Sequence, residues 1–217
     1  MKATRLPMLA VLLTLCCAAT AREPRSQAGQ FDYYVLALSW SPSFCATNHD
    51  PAQCGVGRRL GFVLHGLWPQ YESGYPQNCL GPQLAPDAVP RYAPLFPSPR
   101  LVGHEWRRHG TCSGLHPDAY FTLSGQLRKQ LHIPTALRQP DAPLRLTQHQ
   151  FVQAFQAANP GTPANSVLPF CAGGGRFLRE LHACFDKGGR SRPCSEAAIR
   201  RSYNSCRAET FLIQNVR

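Results

Sequence analysis

The sequence has few acidic residues, no C-x-x-C cysteine pair and no long apolar run beyond its N-terminus, and each absence excludes a class of protein. Twelve Asp and Glu stand against 23 Lys and Arg, which excludes a surface of balanced charge. The lack of a C-x-x-C pair argues against zinc knuckles and thioredoxin chemistry. No segment after Cys17 is apolar enough to cross a membrane. The sequence also lacks N-x-S/T sequons and internal repeats.

The one apolar run, Leu6–Cys17, predicts a cleaved export signal. Lys2 and Arg5 precede it, Ala19-Thr20-Ala21 fits a cleavage site, and the run is too short for a transmembrane helix. We therefore expect residues 1–21 to be a signal peptide. Residues 22–217 should form one exported, monomeric domain without a membrane anchor, in a bacterial periplasm or outside the cell.

Removing this signal takes away two positive charges and two cysteines. The formal charge falls from +11 to +9 with the loss of Lys2 and Arg5, which predicts binding to a polyanion: nucleic acid, a sulfated glycan or an anionic membrane surface. Eight of the ten cysteines remain, an even number that predicts disulfides in an exported chain. Many pairings are open; nearest neighbours favour Cys45–Cys54 and Cys79–Cys112, followed by Cys184–Cys194 nested inside Cys171–Cys206.

Hydrophobic patterning predicts an α+β fold: a single domain with a central, mainly antiparallel sheet flanked by helices. Strands are expected over residues 31–40, 59–65, 166–170, 176–186 and 211–213, and helices over 101–109, 117–131, 147–158 and part of the tail from 194. Residues 41–57 should be a disulfide-stapled loop. Six prolines between Gly81 and Pro99 predict a surface connection, without helix interiors, that lines a groove.

The densest group of reactive side chains is the segment His104-Glu105-Trp106-Arg107-Arg108-His109-Gly110-Thr111-Cys112. On a helix, Arg108, Glu105 and His109 lie at about 40°, 100° and 140° from His104, so the four share one face. Glu105 could then orient the His109 imidazole and keep it basic. His104 and Arg108 form a pair of phosphate donors. The segment predicts an acid–base and anion-binding surface.

Two other interpretations of this segment remain open at this point. Zinc-binding helices carry H-E-x-x-H, whereas the spacing here is H-E-x-x-x-H, which turns the two imidazoles about 140° apart and places an arginine beside them. A polar helix face with histidines in no special role is the plainer alternative. A second group of candidate residues is needed to choose among these three interpretations.

His65 provides that second site, at the predicted end of a strand and before Gly66. A Cys79–Cys112 disulfide would bring His65 towards His109. Two facing imidazoles are sufficient for RNA transesterification without metal: one removes the proton of the ribose 2′-OH, which attacks phosphorus, and the other protonates the leaving 5′-oxygen. His104 and Arg108 could stabilise the phosphorane, and Trp68 could stack on a base. Since the nucleophile is the 2′-OH, DNA is excluded as a substrate.

His65-Gly66-Leu67-Trp68-Pro69 and the His104–Cys112 segment resemble the two active-site segments of the ribonuclease T2 family, which are exported endoribonucleases that produce 2′,3′-cyclic phosphates. Tyr75-Pro76-Gln77-Asn78-Cys79 and the C-terminal cysteines agree, and the resemblance covers essentially the mature chain. It implies cleavage of single-stranded RNA with no cofactor and no metal.

The resemblance also implies a role for each matching residue. His109 resembles the general base, His65 the general acid, His104 the phosphate-binding histidine and Glu105 the carboxylate that assists the transition state. Arg108 replaces the usual lysine, keeping the charge but changing its geometry. Broad base specificity is expected from four further positions: Trp68 and Tyr75 resemble stacking residues, Gln70 stands where some members have an acidic residue that favours adenine, and Ser39 where a second base site often has glutamine.

The remaining candidates are expected to be structural. His49, His116, His132, His149 and His182 belong to no constellation, and Trp40 and Trp106 should be core residues. Arg190, Arg192, Arg200 and Arg201 should lie on a solvated face, with a role in holding RNA as the alternative. The main rival function is a catalytically inactive, secreted, polyanion-binding protein. The intact set of His65, Glu105 and His109 argues against it.

Overall fold

The structure, a computed structural model, describes residues 26–216, so the predicted signal peptide over residues 1–21 lies outside the described residues. The strands are β1 Tyr33–Trp40, β2 Phe62–Gln70, β3 Leu144–Leu146, β4 Val167–Ala172, β5 Phe177–Phe185 and β6 Phe211–Ile213. The helices are α1 Ser41–Cys45, α2 Pro51–Cys54, α3 Ala88–Tyr92, α4 Arg100–Arg108, α5 Pro117–Gln130, α6 Gln148–Ala158 and α7 Glu196–Ser205.

The strands form one sheet in the order β2-β1-β5-β6-β3, and β4 pairs with β5 as well. All pairings are antiparallel except β5 with β6, which confirms the predicted α+β fold with a mainly antiparallel sheet. One face of the sheet packs under α5 and α6 around large aromatic side chains, among them the predicted core residues Trp40 and Trp106. The other face carries a smaller apolar cluster next to α7.

A β-bulge in β2 sets the geometry of the region that carries His65. Ala37 of β1 pairs with Gly66 and Leu38 pairs with Leu64, so His65 is the extra residue between them. The core residues of β2 are therefore Phe62, Leu64 and then Leu67, a change of spacing from two to three. As a result, His65 and Trp68 lie on the same face of the sheet, where an unbroken strand would place them on opposite faces.

Three sequence-based expectations were wrong. β2 does not end at His65 but continues to Gln70, because β2 is an edge strand, where Pro69 loses no ladder hydrogen bond. The proline-rich connection contains the short helix α3, in which Pro90 occupies the first turn, where its missing N–H would have no helical partner. The stapled loop likewise contains α1 and α2.

The other predicted elements and all four disulfides are confirmed. Thr147 and Gln150 form the expected reciprocal capping box of α6, and the tail holds α7 followed by β6. The bridges are Cys45–Cys54, Cys79–Cys112, Cys171–Cys206 and Cys184–Cys194. Within residues 26–216, no helix has both the length and the apolar character needed to span a membrane.

Candidate active site

An open cleft of about 510 Å³ lies between β2, α4 and β5, and it collects most of the predicted site residues. Its lining comprises His65, Trp68, Gln70, Tyr75, His104, Glu105, Arg108, His109, Phe170, Arg179, Glu180, His182 and Arg201. Ser39 is the one candidate outside this cleft.

His65 reaches the cleft from the bulge of β2. Its Nδ1 lies 2.7 Å from Oε1 of Glu180, and its Nε2 lies 3.8 Å from Oε1 of Glu105. Burial by itself would lower the pKa of this imidazole. The hydrogen bond and charge of Glu180, together with the charge of Glu105, outweigh burial and raise the pKa above its usual value. His65 is therefore suited to carry a proton.

Glu105 is a fully buried carboxylate at the centre of the cleft. Its Oε2 accepts a 2.7 Å hydrogen bond from the indole Nε1 of Trp68, whereas its Oε1 has no hydrogen-bond partner and lies 3.8 Å from Nε2 of both His65 and His104. Burial raises the pKa of Glu105 to about 7. Gly66 permits this arrangement, since a Cβ there would lie 1.9 Å from the Glu105 carboxylate.

His109 lies just beyond the end of α4, and this position overturns its expected pairing with Glu105. With φ −126° and ψ −46°, its backbone departs from the helix, so its ring leaves the face that a regular helix would give it. Its backbone N–H donates to the Glu105 carbonyl, but its Nδ1 is buried without a hydrogen-bond partner. Burial, followed by the charges of Arg108 and His65, lowers the pKa of His109 to about 3. The ring is therefore neutral at physiological pH.

Trp68 connects these groups. Its ring centroid lies 5.1 Å from that of His65, 5.2 Å from that of His109 and 5.3 Å from that of His182. The indole thus packs against the three imidazoles and donates a hydrogen bond to Glu105, and it also lines the cleft.

The rim of the cleft carries the predicted anion-binding and base-binding residues. The His104 side chain is 53% exposed, and burial together with the neighbouring positive charges of His65 and Arg108 lowers its pKa. Tyr75 is exposed at the edge of the cleft, whereas Gln70 is buried and its amide donates to the Pro69 carbonyl. The cleft thus offers cationic and aromatic side chains to an incoming ligand.

β5 and α7 contribute residues that the sequence analysis did not assign to the site. Glu180 and His182 alternate along β5 and so share one face, where His182 Nε2 lies 3.3 Å from Oε2 of Glu180. The expectation that His182 has no constellation was therefore wrong. Arg201 is exposed, as expected, and also lines the cleft. The available signal was the E-x-H spacing inside a strongly apolar strand, where polar residues need a partner.

Ser39 borders a second cavity of about 510 Å³ on the other side of His65. Its hydroxyl donates to Oε1 of Glu180 over 3.3 Å. The cavity has a largely apolar lining that includes Phe44, Leu101 and Phe177, and His65, Arg179 and Glu180 border both the cavity and the cleft. Two neighbouring compartments therefore meet at His65.

No group of three His, Cys, Asp or Glu side chains in the described part of the chain is arranged to hold a metal ion. The groups that the structure does bring together are four imidazoles, the carboxylates of Glu105 and Glu180, and arginines. Such a set can remove a proton, donate a proton and bind an anion.

Comparison with known proteins identifies the family and the fold. The sequence model of the ribonuclease T2 family matches residues 31–194. A ribonuclease of Aeromonas hydrophila is 38% identical over 227 aligned residues, which cover 96% of this chain and 99% of that protein. An RNase-related protein from Calystegia sepium has the same fold, with a TM-score of 0.65 at 20% identity over 86% of this chain and 98% of its own. A mutant of RNase MC1 in complex with 5′-UMP gives a TM-score of 0.63 at 23% identity, covering 83% of this chain and 97% of that one.

Proposed function

This chain belongs to the ribonuclease T2 family, and we propose that it is an endoribonuclease that cleaves single-stranded RNA by 2′-OH transesterification without a metal ion. The observation that carries the proposal is the meeting of His65, Glu105 and His109 in one open cleft of a basic chain. The products are a fragment that ends in a 2′,3′-cyclic phosphate and a fragment with a free 5′-OH.

The opposite pKa shifts of the two histidines support one assignment of acid and base. His109, whose pKa is lowered to about 3, is neutral and removes the proton of the ribose 2′-OH. The 2′-oxygen then attacks phosphorus, and the bond from phosphorus to the 5′-oxygen breaks. His65, whose raised pKa makes it hold a proton more tightly than a free imidazole, is the acid that gives its proton to that leaving oxygen.

The phosphorane that forms between these two steps is stabilised by groups at the centre of the cleft. The unpartnered Oε1 of Glu105 lies between His65 and His104, and a pKa of about 7 leaves part of this carboxyl protonated near neutral pH. It can then donate a hydrogen bond to a phosphoryl oxygen. His104 and Arg108 supply further donors from the same helix, in keeping with the role that the sequence predicts.

The bases flanking the scissile bond occupy the two compartments that meet at His65. Trp68, Gln70 and Tyr75 line the cleft on one side, and Ser39 borders the apolar cavity on the other. The Gln70 side chain is uncharged and one of its N–H groups already donates to the Pro69 carbonyl, which supports the broad base specificity that we propose.

We also propose that the protein is exported and acts as a monomer. The described residues form four disulfides, which persist in an oxidising space, so we place the protein outside the cytosol, in a periplasm or in the extracellular medium. Residues 1–21 would be removed as the signal, leaving a monomeric catalytic domain over residues 22–217 that does not cut DNA.

The test is a cleavage assay of purified, oxidised protein on a single-stranded RNA oligonucleotide and its DNA counterpart, each with and without EDTA. We expect RNA alone to be cut, equally well with EDTA. His65→Phe and His109→Phe should each lower the rate by about 10²- to 10⁴-fold while preserving the circular dichroism spectrum. The matched control is His149→Phe, at an exposed position on α6, which should cleave like the unsubstituted protein.

Three results would contradict the proposal. Cleavage that stops in EDTA would show that the reaction depends on a metal ion. Binding of RNA without cleavage would make the chain an inactive polyanion-binding protein. Near-normal rates in either active-site variant would overturn the two-histidine assignment.

A further inference from the structure

We propose that Glu180 is a positioning residue for the reaction: its buried carboxylate fixes the ring orientation and tautomer of His65, so that Nε2 is the nitrogen that faces the substrate. This inference rests on the proposed function, in which His65 is the general acid. It concerns a residue of β5 that neither active-site motif contains.

The contacts of Glu180 converge from three neighbouring positions in the sheet. The residue is 7% exposed and pairs with Ser39 of β1 in the strand register. Its Oε1 lies 2.7 Å from Nδ1 of His65 and accepts from the Ser39 hydroxyl, while its Oε2 faces Nε2 of His182 at 3.3 Å. His182 is itself held against the Phe170 ring, with centroids 4.0 Å apart. Ser39 and His182 thus hold the carboxylate in the position from which it contacts His65.

The charge of this carboxylate determines which nitrogen of His65 carries a proton. Burial would raise the pKa of Glu180, but the hydrogen bonds from His182 and His65 hold it well below its usual value. An ionised carboxylate has no proton to donate, so Nδ1 of His65 must be the donor in their 2.7 Å contact. Nε2 is then the nitrogen that gains and loses a proton during turnover.

This tautomer matches the acid step. When protonated His65 gives its Nε2 proton to the leaving 5′-oxygen, the neutral ring that remains keeps its proton on Nδ1 and its hydrogen bond to Glu180. No ring flip or proton rearrangement is needed before Nε2 is protonated again. Without Glu180, both neutral tautomers and both ring orientations would be accessible, and only a fraction of the molecules would present an acidic Nε2.

Several charged groups act on His65 at once. Glu105, His104 and His109 approach from α4 and the residue after it, and Glu180, Arg179 and His182 from β5. If the charge of Glu180 is removed, Glu105 remains as the only carboxylate among these groups. The pKa of His65 must then fall, and His65 must lose its proton at a lower pH.

The kinetic test compares Glu180→Gln with the wild-type protein over a range of pH. The alkaline limb of kcat/KM, where the acid loses its proton, should move to lower pH by about one unit, and kcat at neutral pH should fall about tenfold or more. KM should change little, because the side chain acts through His65. Glu180→Asp, which keeps the charge, should recover most of the shift, and Glu196→Gln, the same change on the exposed face of α7, should have no effect.

A second measurement does not depend on activity. In the wild-type protein, ¹⁵N chemical shifts of His65 should show the neutral ring protonated on Nδ1, and in Glu180→Gln the pKa of His65 should be lower. A neutral ring protonated on Nε2, or an alkaline limb and a pKa of His65 that do not change in Glu180→Gln, would overturn the inference. Wild-type protein that fails to cut RNA would contradict the proposed function instead, because the tautomer could still be measured.

Discussion

Glu105 shows at the scale of one residue how the site is built at the expense of stability. The side chain is completely buried, one of its oxygens has no hydrogen-bond partner, and its pKa is raised from the usual 4.5 to about 7. A folded-state pKa above the unfolded value means that the folded protein binds a proton more tightly between these two pH values. Stability from the neutral carboxyl is complete below pH 4.5 and is lost as the pH rises through about 7.

Glu105→Gln should therefore make the protein less active but more stable at alkaline pH. The amide can still accept from the Trp68 indole, and it never ionises. At pH 8 we expect a gain of roughly 3 kcal/mol in the free energy of unfolding, and at pH 5 a gain of only roughly 1 kcal/mol, at about 1.4 kcal/mol per pKa unit. Thermal unfolding at both pH values checks this. A melting temperature that is lower than that of the wild type at pH 8 would show that ionised Glu105 does not destabilise the fold.

Sequence reasoning identified the motif residues but not all of their contacts. His65, His104, Glu105, Arg108 and His109 do meet in one cleft. The expected support of His109 by Glu105 fails, because one residue of non-helical backbone displaces the ring. Glu180 is distant in sequence from both motifs, and its partners are determined by strand register, which local patterns do not reveal.

At the scale of elements, the bulge of β2 and the end of α4 create the site. The bulge turns His65 onto the same face as Trp68, and Gly66 makes room for the Glu105 carboxylate of α4. The sequence predicted the strand but ended it at His65, before Gly66, since glycine and proline are read as strand breakers. Only the edge position of β2 and its pairing with β1 allow the strand to continue.

The Cys79–Cys112 disulfide holds the Tyr75 loop against the segment that follows α4, beside the hydrogen bond from the Asn78 N–H to the Arg108 carbonyl. Replacing both cysteines with alanine should lower the stability by roughly 4 kcal/mol, because the bridge closes 33 residues of sequence separation. The matched pair Cys45→Ala with Cys54→Ala removes a separation of 9 residues, and its expected loss is roughly 3 kcal/mol.

Urea unfolding and kcat together test this account of the bridge. We expect only the Cys79–Cys112 variant to lose most of its activity under conditions where it stays folded, because His109 precedes Cys112 by three residues. Unchanged kcat in that variant would show that the site does not depend on the bridge.

At the scale of the whole molecule, the α+β architecture and the four disulfides were predictable, whereas the division of the binding surface was not. Alternating patterns, a capping box and an even cysteine count are local signals. The apolar cavity beside the cleft arises where β1, β5 and the segment before α4 meet. No local sequence pattern predicts such a contact between distant segments of the chain. His65 lies between the two compartments, which is where a scissile phosphate with a base on each side would need an acid.

The central claim is that the substrate's own 2′-OH is the nucleophile. The most direct measurement uses a DNA oligonucleotide that contains a single ribonucleotide, incubated with the protein and EDTA in ¹⁸O-labelled water. We predict one cut, on the 3′ side of the ribonucleotide, and an initial product whose mass is that of a 2′,3′-cyclic phosphate without ¹⁸O. A cut elsewhere in the oligonucleotide, or ¹⁸O in the first product, would mean that water attacks phosphorus, and would contradict the two-histidine transesterification.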